Sequence, residues 1–523
     1  MSNDIRPELA NLRTRLSRTL DSVRQGAAEK RHSVGYRTAR ENLIDLVDPD
    51  SLIEYGQLGI AAQRNRRDYE DLQINTAGDG VITGVATINR HQFGTDKSRV
   101  AVAVYDYSVL AGTQGYYHHK KLDRIFELAE EWKLPMIVYT EGGGGRPGDT
   151  DVTTQIAGLH LQSFHTWAGM SGLIPRIAIN NGFCFAGNAV LFGCADITIA
   201  TRTSWIGMAG PAMIEGGGLG VFEPTEIGPI EVQEKNGVVD IVADDEAEAT
   251  EIAKRLLGLF QGSLKDWSCP DQGSLRDLVP ENRRRTYPIR RVIETLADVD
   301  SFIELRRAYG PGMVTGFIRL EGRPIGLIAN DGYHLGGAVD AESAEKGARF
   351  LQLCDAFGLP ILTLTDTPGF MVGPDSDAQS AVRRMSRMFV TGATITVPMV
   401  SILLRKGYGL GAMAMTGGSF GAPVYMAAWP TGEIGGMGLE GAVLLGYKKE
   451  LEAVEDETER RQLFDKLLAK MYEEGKATEA ATHLEIDAVI DPVDTRDVVI
   501  KAFASAPSPK PSLNRRRTFI DTW

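Results

Sequence analysis

The chain has 523 residues, 43% of them hydrophobic and 24% charged, with a formal net charge of −13 and a pI near 5.3. This length exceeds what one hydrophobic core normally fills, so two domains are expected. The acidic balance argues against a nucleic-acid-binding protein, and the apolar stretches are too interrupted for a transmembrane helix. The N-terminus lacks a secretory signal pattern and the four cysteines have no paired spacing, which predicts a cytoplasmic protein.

The first predicted elements are strands over 81–88 and 100–107, followed by a helix over 120–132 with apolar residues at helical spacing. A strand over 135–140 then leads into the glycine-rich turn EGGGG. A further strand over 175–180 leads into a second glycine-rich turn, and an amphipathic helix over 243–260 closes this part of the chain. Alternating strands and helices predict an α/β fold whose loops line up at one edge of the sheet.

The same order of elements recurs in the second half of the chain, with strands over 314–320, 324–330, 360–365 and 398–404 and a helix over 344–357. KLPMIVYTEGGGG (133–145) resembles GLPILTLTDTPGF (358–370), and Gly187 and Gly411 lie 224 positions apart. The lead-in DPDSLIE (48–54) likewise matches DVDSFIE (298–304). Ordered similarities at nearly constant offset indicate two copies of one fold.

The repeat defines the expected domain organisation. It predicts a first domain over 1–265, a linker over 266–296 and a second domain over 297–523. Residues 448–475 are expected to form an exposed helix, and the basic residues 515–517 a solvated tail.

Conventional catalytic motifs are absent from the sequence. It contains no H-E-x-x-H zinc motif, no G-x-S-x-G elbow and no phosphate-binding G-x-x-x-x-G-K-[ST] pattern, so no metal site is expected, and His118–His119 is interpreted as a polar helix start. The prominent features are glycine-rich turns between a strand and a helix, such as RKGYGLGAMAM (405–415). Backbone N–H groups are free at the start of a helix, and preorganised N–H donors can stabilise an oxyanion without an ionisable side chain. Because two such turns occupy equivalent positions of a repeat, we favour a functional role over a packing role.

Several stretches carry a family resemblance: GDGVITG (78–84), EGGGGRPGD (141–149), GFCFAGNAVLFGCAD (182–196), DTPGF (366–370) and AWPTGEIGGMGLEGAV (428–443). They resemble the carboxyltransferase subunit of biotin-dependent acyl-CoA carboxylases, in order over nearly the whole chain. Residues 205–224 look more like the transferase part of single-chain or long-chain acyl-CoA carboxylases. The resemblance implies two tandem crotonase-like (ClpP/crotonase) domains, the first on the acyl-CoA side and the second on the biotin side.

The family reaction moves a carboxyl group from carboxybiotin to the α-carbon of an acyl-CoA. The resemblance implies that biotin is carried on a partner carrier protein, that a separate biotin carboxylase is the other partner, and that the chain forms a homohexamer. By position, the amides of Ala186 and Gly187 are expected to hold the thioester oxygen, and those of Leu410 and Gly411 the biotin ureido oxygen. Substrate binding is expected at five further residues: Gly144, Gly145, Arg146, Tyr408 and Met413.

Two departures from the family pattern bear on these assignments. Ala186 stands where the family usually has glycine, although the amide is kept. Met413 stands where propionyl-CoA enzymes often have an acidic residue, so a changed acyl-chain preference is expected. Binding of the phosphates of CoA needs cations, for which the candidates are Arg146, Lys120, Lys121, Arg405 and Lys406.

Three other functions remain open at this stage. One is a decarboxylase subunit running the same half-reaction backwards. Another is a biotin-independent crotonase-type hydratase or isomerase, which would need an acid/base at the first site, with Glu141 and Glu215 as candidates. The last is a non-catalytic scaffold that has kept the fold.

Overall fold

The structure is a computed structural model that describes residues 6–152, 159–507 and 519–523. It consists of two compact units that divide after Gly262. None of the helices in the described residues is both long and apolar enough to cross a membrane.

The helices and strands of the first unit are α1 (Pro7–Ser17), α2 (Gln25–Ser33), α3 (Ala39–Leu46), β1 (Ile53–Tyr55), α4 (Tyr69–Asn75), β2 (Val81–Thr87), α5 (Arg90–Phe93), α6 (Thr95–Ser98), β3 (Arg99–Tyr105), α7 (Tyr116–Trp132), β4 (Met136–Tyr139), α8 (Ser163–Gly169), β5 (Arg176–Phe185), α9 (Gly187–Gly193), β6 (Ile197–Gly207), α10 (Pro211–Gly216), α11 (Ile230–Gln233), β7 (Ile241–Ala243) and α12 (Glu246–Gln261). Single 3-10 turns lie at Ala77–Gly80, Leu110–Gly112 and Pro224–Glu226.

In the described part of the first unit, seven strands form one sheet in the order β1-β2-β3-β4-β5-β6-β7. The first three strands pair antiparallel, and β3 to β7 pair parallel. The parallel strands are buried on both faces, as is usual where helices cover a sheet. Helices α7, α8 and α9 pack over one face through a core that includes Phe126, Trp167 and Phe192.

The helices and strands of the second unit are α13 (Leu275–Leu278), α14 (Ile289–Leu296), β8 (Ile303–Leu305), β9 (Met313–Leu320), β10 (Arg323–Asn330), α15 (Ala341–Ala356), β11 (Ile361–Thr367), α16 (Pro374–Asp377), α17 (Ala381–Gly392), β12 (Met399–Tyr408), α18 (Gly409–Met415), β13 (Tyr425–Ala428), β14 (Glu433–Gly435), α19 (Leu439–Gly446), α20 (Lys448–Glu452), α21 (Glu457–Glu474), α22 (Ala477–Thr482), β15 (Ala488–Val489) and α23 (Thr495–Ser505). Its 3-10 turns lie at Gln272–Ser274, Leu335–Gly337 and Pro492–Asp494.

The second sheet repeats the first. Its path runs β8-β9-β10-β11-β12-β13-β15, with β14 added beside β12. Again the first three strands are antiparallel and the rest parallel. Isolated bridges also recur: Gln114 pairs with Gly145 and Val339 with Phe370, and both partners of the second bridge lie 225 positions after those of the first. The predicted internal repeat is therefore a structural repeat.

Residues 266–296, which we expected to be a linker, carry helices α13 and α14 and belong to the second unit. Leu275, Val292 and Leu296 lie in the core of that unit. Helix α14 is the counterpart of α3, since the two helices start and end 250 positions apart. The structural repeat therefore includes the helix before the first strand of each sheet, α3 in the first unit and α14 in the second.

Two further differences concern connections. The helix expected over 448–475 is interrupted, because Asp456 caps the start of α21 by accepting a hydrogen bond from the Glu459 N–H. In the first unit, residues 56–80, including α4, join β1 to β2, whereas residues 306–312 join the counterparts β8 and β9. The first unit thus has an insertion at this edge of its sheet. The basic tail 515–517 lies outside the described residues.

Candidate active site

The turn after β4 is built from the glycines 142–145, and most of their amides are occupied. The N–H of Gly142 donates to the Phe183 carbonyl at 2.7 Å, and that of Gly143 to the Ala111 carbonyl at 3.0 Å. The Gly144 N–H donates to the side chain of Asn188 at 3.1 Å. The Gly145 N–H has no acceptor among the described residues, so it is a donor that a ligand can use.

The second turn of the first unit leads from β5 into α9. Ala186 adopts a left-handed φ of 52° and its N–H donates to the Gly207 carbonyl at 3.1 Å. The Ala186 amide therefore already donates to a backbone carbonyl, and its role as a donor to the thioester oxygen stays a prediction. The Gly187 N–H, at the first position of α9, has no acceptor within the part of the chain that the structure describes.

These two free amides belong to one cavity. A cavity of about 530 Å³ is lined by both Gly145 and Gly187, together with Gln114, His119 and Phe164. Gln114 connects the two turns: its backbone bonds to Gly144 and Arg146, and a Cβ on Gly187 would lie 2.0 Å from its side-chain oxygen. We call this space the first cavity.

Arg146 lines the first cavity, but its guanidinium group is committed to the protein. Its side chain is 4% exposed and pairs with Asp79 at 2.5 Å, while it also donates to the Thr113 carbonyl at 2.7 Å. Burial raises the pKa of Asp79, and the ion pair with Arg146 opposes that effect. Arg146 therefore holds the turn in place and is not free to bind phosphate.

Sequence reasoning missed His119, which also lines the first cavity. Its Nδ1 lies 2.9 Å from the Ser163 hydroxyl, which donates to Asp123 at 2.5 Å. Burial lowers the pKa of His119, so the imidazole is neutral at physiological pH. The sequence did contain an indication of this role. His119 lies one turn into α7, and a side chain at that position of a helix lies close to the turn that precedes the helix.

The two acidic residues considered for acid/base chemistry lie elsewhere. Glu141 is buried and its carboxylate accepts from Arg31 at 2.7 and 2.9 Å and from Asn181 at 3.3 Å. It does not line the first cavity. Glu215 lies exposed on α10. Neither carboxylate is positioned at the free amides.

The equivalent turns of the second unit follow β11 and β12. The Gly369 carbonyl accepts from Val339 at 3.0 Å, and the Phe370 N–H has no acceptor among the described residues. Gly411 packs against this turn, because a Cβ at Gly411 would lie 2.4 Å from the Gly369 carbonyl carbon. Leu410 and Gly411 are the second and third residues of α18, positions whose N–H groups have no carbonyl one turn earlier in the helix.

Of the two predicted substrate-binding residues in the second unit, Tyr408 is bonded within the protein and Met413 lines a cavity. Tyr408 is buried and its hydroxyl donates to Glu433 at 2.8 Å, so the side chain supports the turn and offers no free group to a ligand. Met413 lines a cavity of about 680 Å³ together with Gly409, Phe420 and Leu484. We call this space the second cavity.

Four of the five cations considered for CoA phosphates are held within the protein. Lys121 is buried, donates to the carbonyls of Gly78 and Val81, and has its pKa lowered by burial to about 8. Arg405 pairs with Asp366 at 3.1 Å, and Lys406 donates to the Gly336 carbonyl at 2.5 Å. Arg146 is held as described above. Among these five residues, only Lys120 has an exposed side chain.

The sequence matches the family model of the carboxyl transferase domain over residues 30–518. The chain belongs to the carboxyl transferase family. The predicted family, the carboxyltransferase subunit of biotin-dependent acyl-CoA carboxylases, and the prediction of an enzyme with two crotonase-like domains are confirmed.

Relatives of this carboxyl transferase include the propionyl-CoA carboxylase beta chain of Saccharopolyspora erythraea, 30% identical over 95% of this chain and 92% of that protein. The methylmalonyl-CoA carboxyltransferase 12S subunit of Propionibacterium freudenreichii subsp. shermanii is also 30% identical, over 91% of this chain and 89% of that subunit.

Solved structures agree with this membership. A single-chain, multi-domain long-chain acyl-CoA carboxylase matches with a TM-score of 0.91 and 55% identity over 95% of this chain. The chain spans 49% of the length of that protein. Transcarboxylase 12S, solved as a hexamer with methylmalonyl-CoA bound, matches with a TM-score of 0.83 and 28% identity, covering 98% of this chain and 97% of that one.

Proposed function

We propose that this chain transfers a carboxyl group from carboxybiotin, carried on a partner protein, to the α-carbon of an acyl-CoA. The observation that carries the proposal is the pair of equivalent turns, one in each unit, that present backbone N–H groups to a ligand. Biotin, when bound, supplies the carboxyl group.

In the first unit, the amides of Gly145 and Gly187 hold the thioester oxygen. Removing the α-proton of a thioester places negative charge on that oxygen, and fixed N–H donors stabilise it more than the uncharged carbonyl. Gly145 replaces Ala186 in this role because the Ala186 amide already donates to Gly207. Gly144 and Arg146 position the turn through Asn188 and Asp79.

In the second unit, the amides of Leu410 and Gly411 hold the ureido oxygen of biotin. A ureido oxygen accepts hydrogen bonds and gains negative charge as the carboxyl group leaves, so uncharged N–H donors fit it. Residues 1–265 then form the acyl-CoA side and 297–523 the biotin side. Met413, in the wall of the second cavity, influences the acyl-chain preference.

The partners follow from the same proposal. A chain of this family needs a biotin carboxylase and a biotin carboxyl carrier to load the carboxyl group, and we propose both as partners. The hexameric transcarboxylase 12S neighbour supports a homohexamer. The 55% identity to the long-chain acyl-CoA carboxylase supports acyl chains longer than propionyl as substrates.

The deciding experiment supplies labelled bicarbonate, ATP, a biotin carboxylase and a biotinylated carrier together with acyl-CoAs from two carbons upward. We expect label in at least one acyl-CoA, with longer chains preferred. If no acyl-CoA gains label while each partner is shown to be active with a known transferase, the proposal is wrong.

Two parallel assays separate the alternatives. A decarboxylase subunit would move the carboxyl group of a carboxylated acyl-CoA to biotin on the carrier, with a proton replacing it on the α-carbon, and would show little net carboxylation. A hydratase would convert a 2-enoyl-CoA without any biotin, using an acid/base at the first cavity, where His119 is the titratable imidazole. We expect no biotin-independent turnover of an enoyl-CoA.

A further inference from the structure

A buried carboxylate lies directly before the turn that follows β11. Asp366 is the sixth residue of β11 and is 3% exposed, and aspartate is rarely buried so completely unless it is paired. The proposed function gives this side chain no part. Because the turn 367–370 begins at the next residue, Asp366 stands where a side chain can control the backbone of the biotin side.

Strand β12 carries a bulge opposite Asp366. On either side of Asp366 the two strands remain paired, through Thr365–Leu403 and Thr367–Gly407. One residue of β11 therefore faces three residues of β12, 404–406. A bulge leaves part of a strand outside the ladder and bends that strand. The strand that bends here leads into α18, whose first turn carries the proposed donors to biotin.

The carboxylate of Asp366 binds this bulge. One oxygen accepts a hydrogen bond from the backbone N–H of Lys406 at 3.1 Å. The other oxygen accepts from the Tyr287 hydroxyl at 2.8 Å and pairs with the Arg405 guanidinium at 3.1 Å. Arg405 and Tyr287 are themselves buried, and the guanidinium lies 5.0 Å from the centre of the Tyr287 ring. A buried network with charge-assisted bonds has one favoured geometry, so it holds the bulge in one geometry too.

Asp366 thereby connects the two backbone segments that meet at the proposed biotin site. Its own chain continues into the turn 367–370, and its carboxylate holds Lys406, three residues before α18 begins. These segments pack closely, because a Cβ at Gly411 would lie 2.4 Å from the carbonyl carbon of Gly369. Close packing transmits displacement, so a change in the bulge would alter the direction of the amides at the start of α18.

The first unit has the same arrangement at the equivalent place. Glu141 lies 225 positions before Asp366, is also buried, and accepts from Arg31 and from Asn181, the counterpart of Lys406. The chain after β4 pairs with β5 on either side of Glu141, through Tyr139–Ile179 and Gly142–Cys184. Strand β5 thus again has two extra residues. A buried carboxylate opposite a bulge recurs where each unit presents amides, which indicates a role in the site.

We infer that Asp366 is a positioning residue for carboxyl transfer. Its carboxylate, held by Arg405 and Tyr287, fixes the bulge of β12 and so directs the amides of Leu410 and Gly411 towards the ureido oxygen of biotin. This inference rests on the proposed function and deepens it, because it names the side chain that places the donors on the biotin side.

The test measures kcat and both KM values of the labelled-bicarbonate reaction on the full chain, with the biotin carboxylase in excess so that transfer limits the rate. Asp366→Ala removes the acceptor, whereas Asp366→Asn keeps an oxygen for the Lys406 N–H. Tyr287→Phe removes one donor to the carboxylate and keeps the ring beside Arg405. Urea unfolding gives the folded fraction of each variant, to which kcat is normalised.

Asp298→Ala is the matched control. Asp298 is a buried carboxylate of the same unit that pairs with Arg496 and accepts from the backbone N–H groups of Glu321 and Gly322 at 3.1 and 2.7 Å. It therefore has the same kinds of partner as Asp366. It binds the turn between β9 and β10, at the opposite end of the parallel strands from α18.

We expect Asp366→Ala to lower kcat about 100-fold, the cost of misplacing a catalytic group by about 1 Å, with the KM for acyl-CoA unchanged. Asp366→Asn should recover most of that rate, and Tyr287→Phe should lose about fivefold, the equivalent of one hydrogen bond. Asp298→Ala should lower the midpoint of urea unfolding and keep the wild-type kcat.

The inference is wrong if Asp366→Ala keeps the wild-type kcat, or if Asp298→Ala loses as much of it. A rise in the KM for acyl-CoA that matches the loss of kcat would also overturn it, because the effect would not be confined to the biotin side. Should Asp366→Ala fail to fold, Tyr287→Phe decides, and an unchanged kcat in that variant refutes the inference. In each of these cases the proposed function stands, whereas absence of transfer by folded wild type would overturn both.

Discussion

Replacing Gly187 with alanine should abolish most carboxyl transfer while the chain stays folded. The added Cβ would lie 2.0 Å from the side-chain oxygen of Gln114 and 3.0 Å from the Phe164 ring. Ordinary contact begins at 3.4 Å, so Gln114 must withdraw by more than 1 Å. Gln114 cannot do so freely, because it is buried and donates to the Tyr105 hydroxyl at 2.7 Å.

The displacement would reach both proposed donors. Gln114 bonds through its backbone to Gly144 and Arg146, on either side of Gly145. A misplacement of about 1 Å at a catalytic group costs roughly 100-fold in rate, and the overpacking itself costs about 1–3 kcal/mol of stability. We therefore expect kcat for the labelled-bicarbonate reaction to fall about 100-fold, with the affinity for coenzyme A changed far less.

Gly193→Ala is the matched control, since it lies at the other end of α9 and its added Cβ would meet no atom within 4 Å. It should retain wild-type kcat. The reasoning fails if Gly187→Ala keeps more than half of the wild-type rate, or if both variants lose activity equally.

Four further substitutions test other parts of the structure. Arg146→Met leaves the buried Asp79 carboxylate without its ion-pair partner and should lower the free energy of unfolding, measured in urea, by about 3–5 kcal/mol. An unchanged midpoint of the urea unfolding transition would contradict the positioning role of Arg146. Glu141→Gln should keep most of the transferase rate, whereas loss of a true general acid/base costs roughly 100-fold or more, so a loss of that size would assign Glu141 an acid/base role. Burial lowers the pKa of Lys346 to about 7, so between about pH 7 and 10.5 the unfolded chain holds a proton that the native state has lost. The free energy of unfolding of wild type should therefore rise by about 1–3 kcal/mol relative to that of Lys346→Met between about pH 6.5 and 9.5. Equal dependence of this free energy on pH in the two proteins would refute the prediction. Met413→Asp should shift the preference towards shorter acyl-CoAs. The ratio of kcat/KM between acyl-CoAs of different length should change by about fourfold for each methylene that is no longer buried. If kcat/KM depends on chain length as in wild type, Met413 does not contact the acyl chain.

The repeat and its turns could be predicted from the sequence, because both depend on local patterns. Alternation of strands and helices, the Leu-Pro starts of strands and the glycine clusters lie within short windows. The same windows located Gly187 and Gly411 at equivalent turns. Family motifs then indicated the chemistry, which the comparisons support.

The choice among neighbouring amides could not be predicted, because it depends on partners far away in sequence. The N–H groups of Gly142 and Ala186 donate to the carbonyls of Phe183 and Gly207, respectively. Those carbonyls come within hydrogen-bonding distance only once the strands have folded. The cations pose the same problem. A lysine at 121 looks like one at 120 in the sequence, yet one lies buried on backbone carbonyls and the other lies exposed.

The buried pair of Arg31 and Glu141 affects how the chain can be divided. In the second unit the equivalent carboxylate, Asp366, pairs with Arg405 on the adjacent strand β12. In the first unit the cation comes from α2, which precedes every strand of the first sheet. A fragment beginning at α3 would retain all of those strands and still leave Glu141 buried without a counter-charge. The first unit therefore depends on a helix at its N-terminal end for this ion pair, whereas the second unit forms the equivalent pair between neighbouring strands of its own sheet.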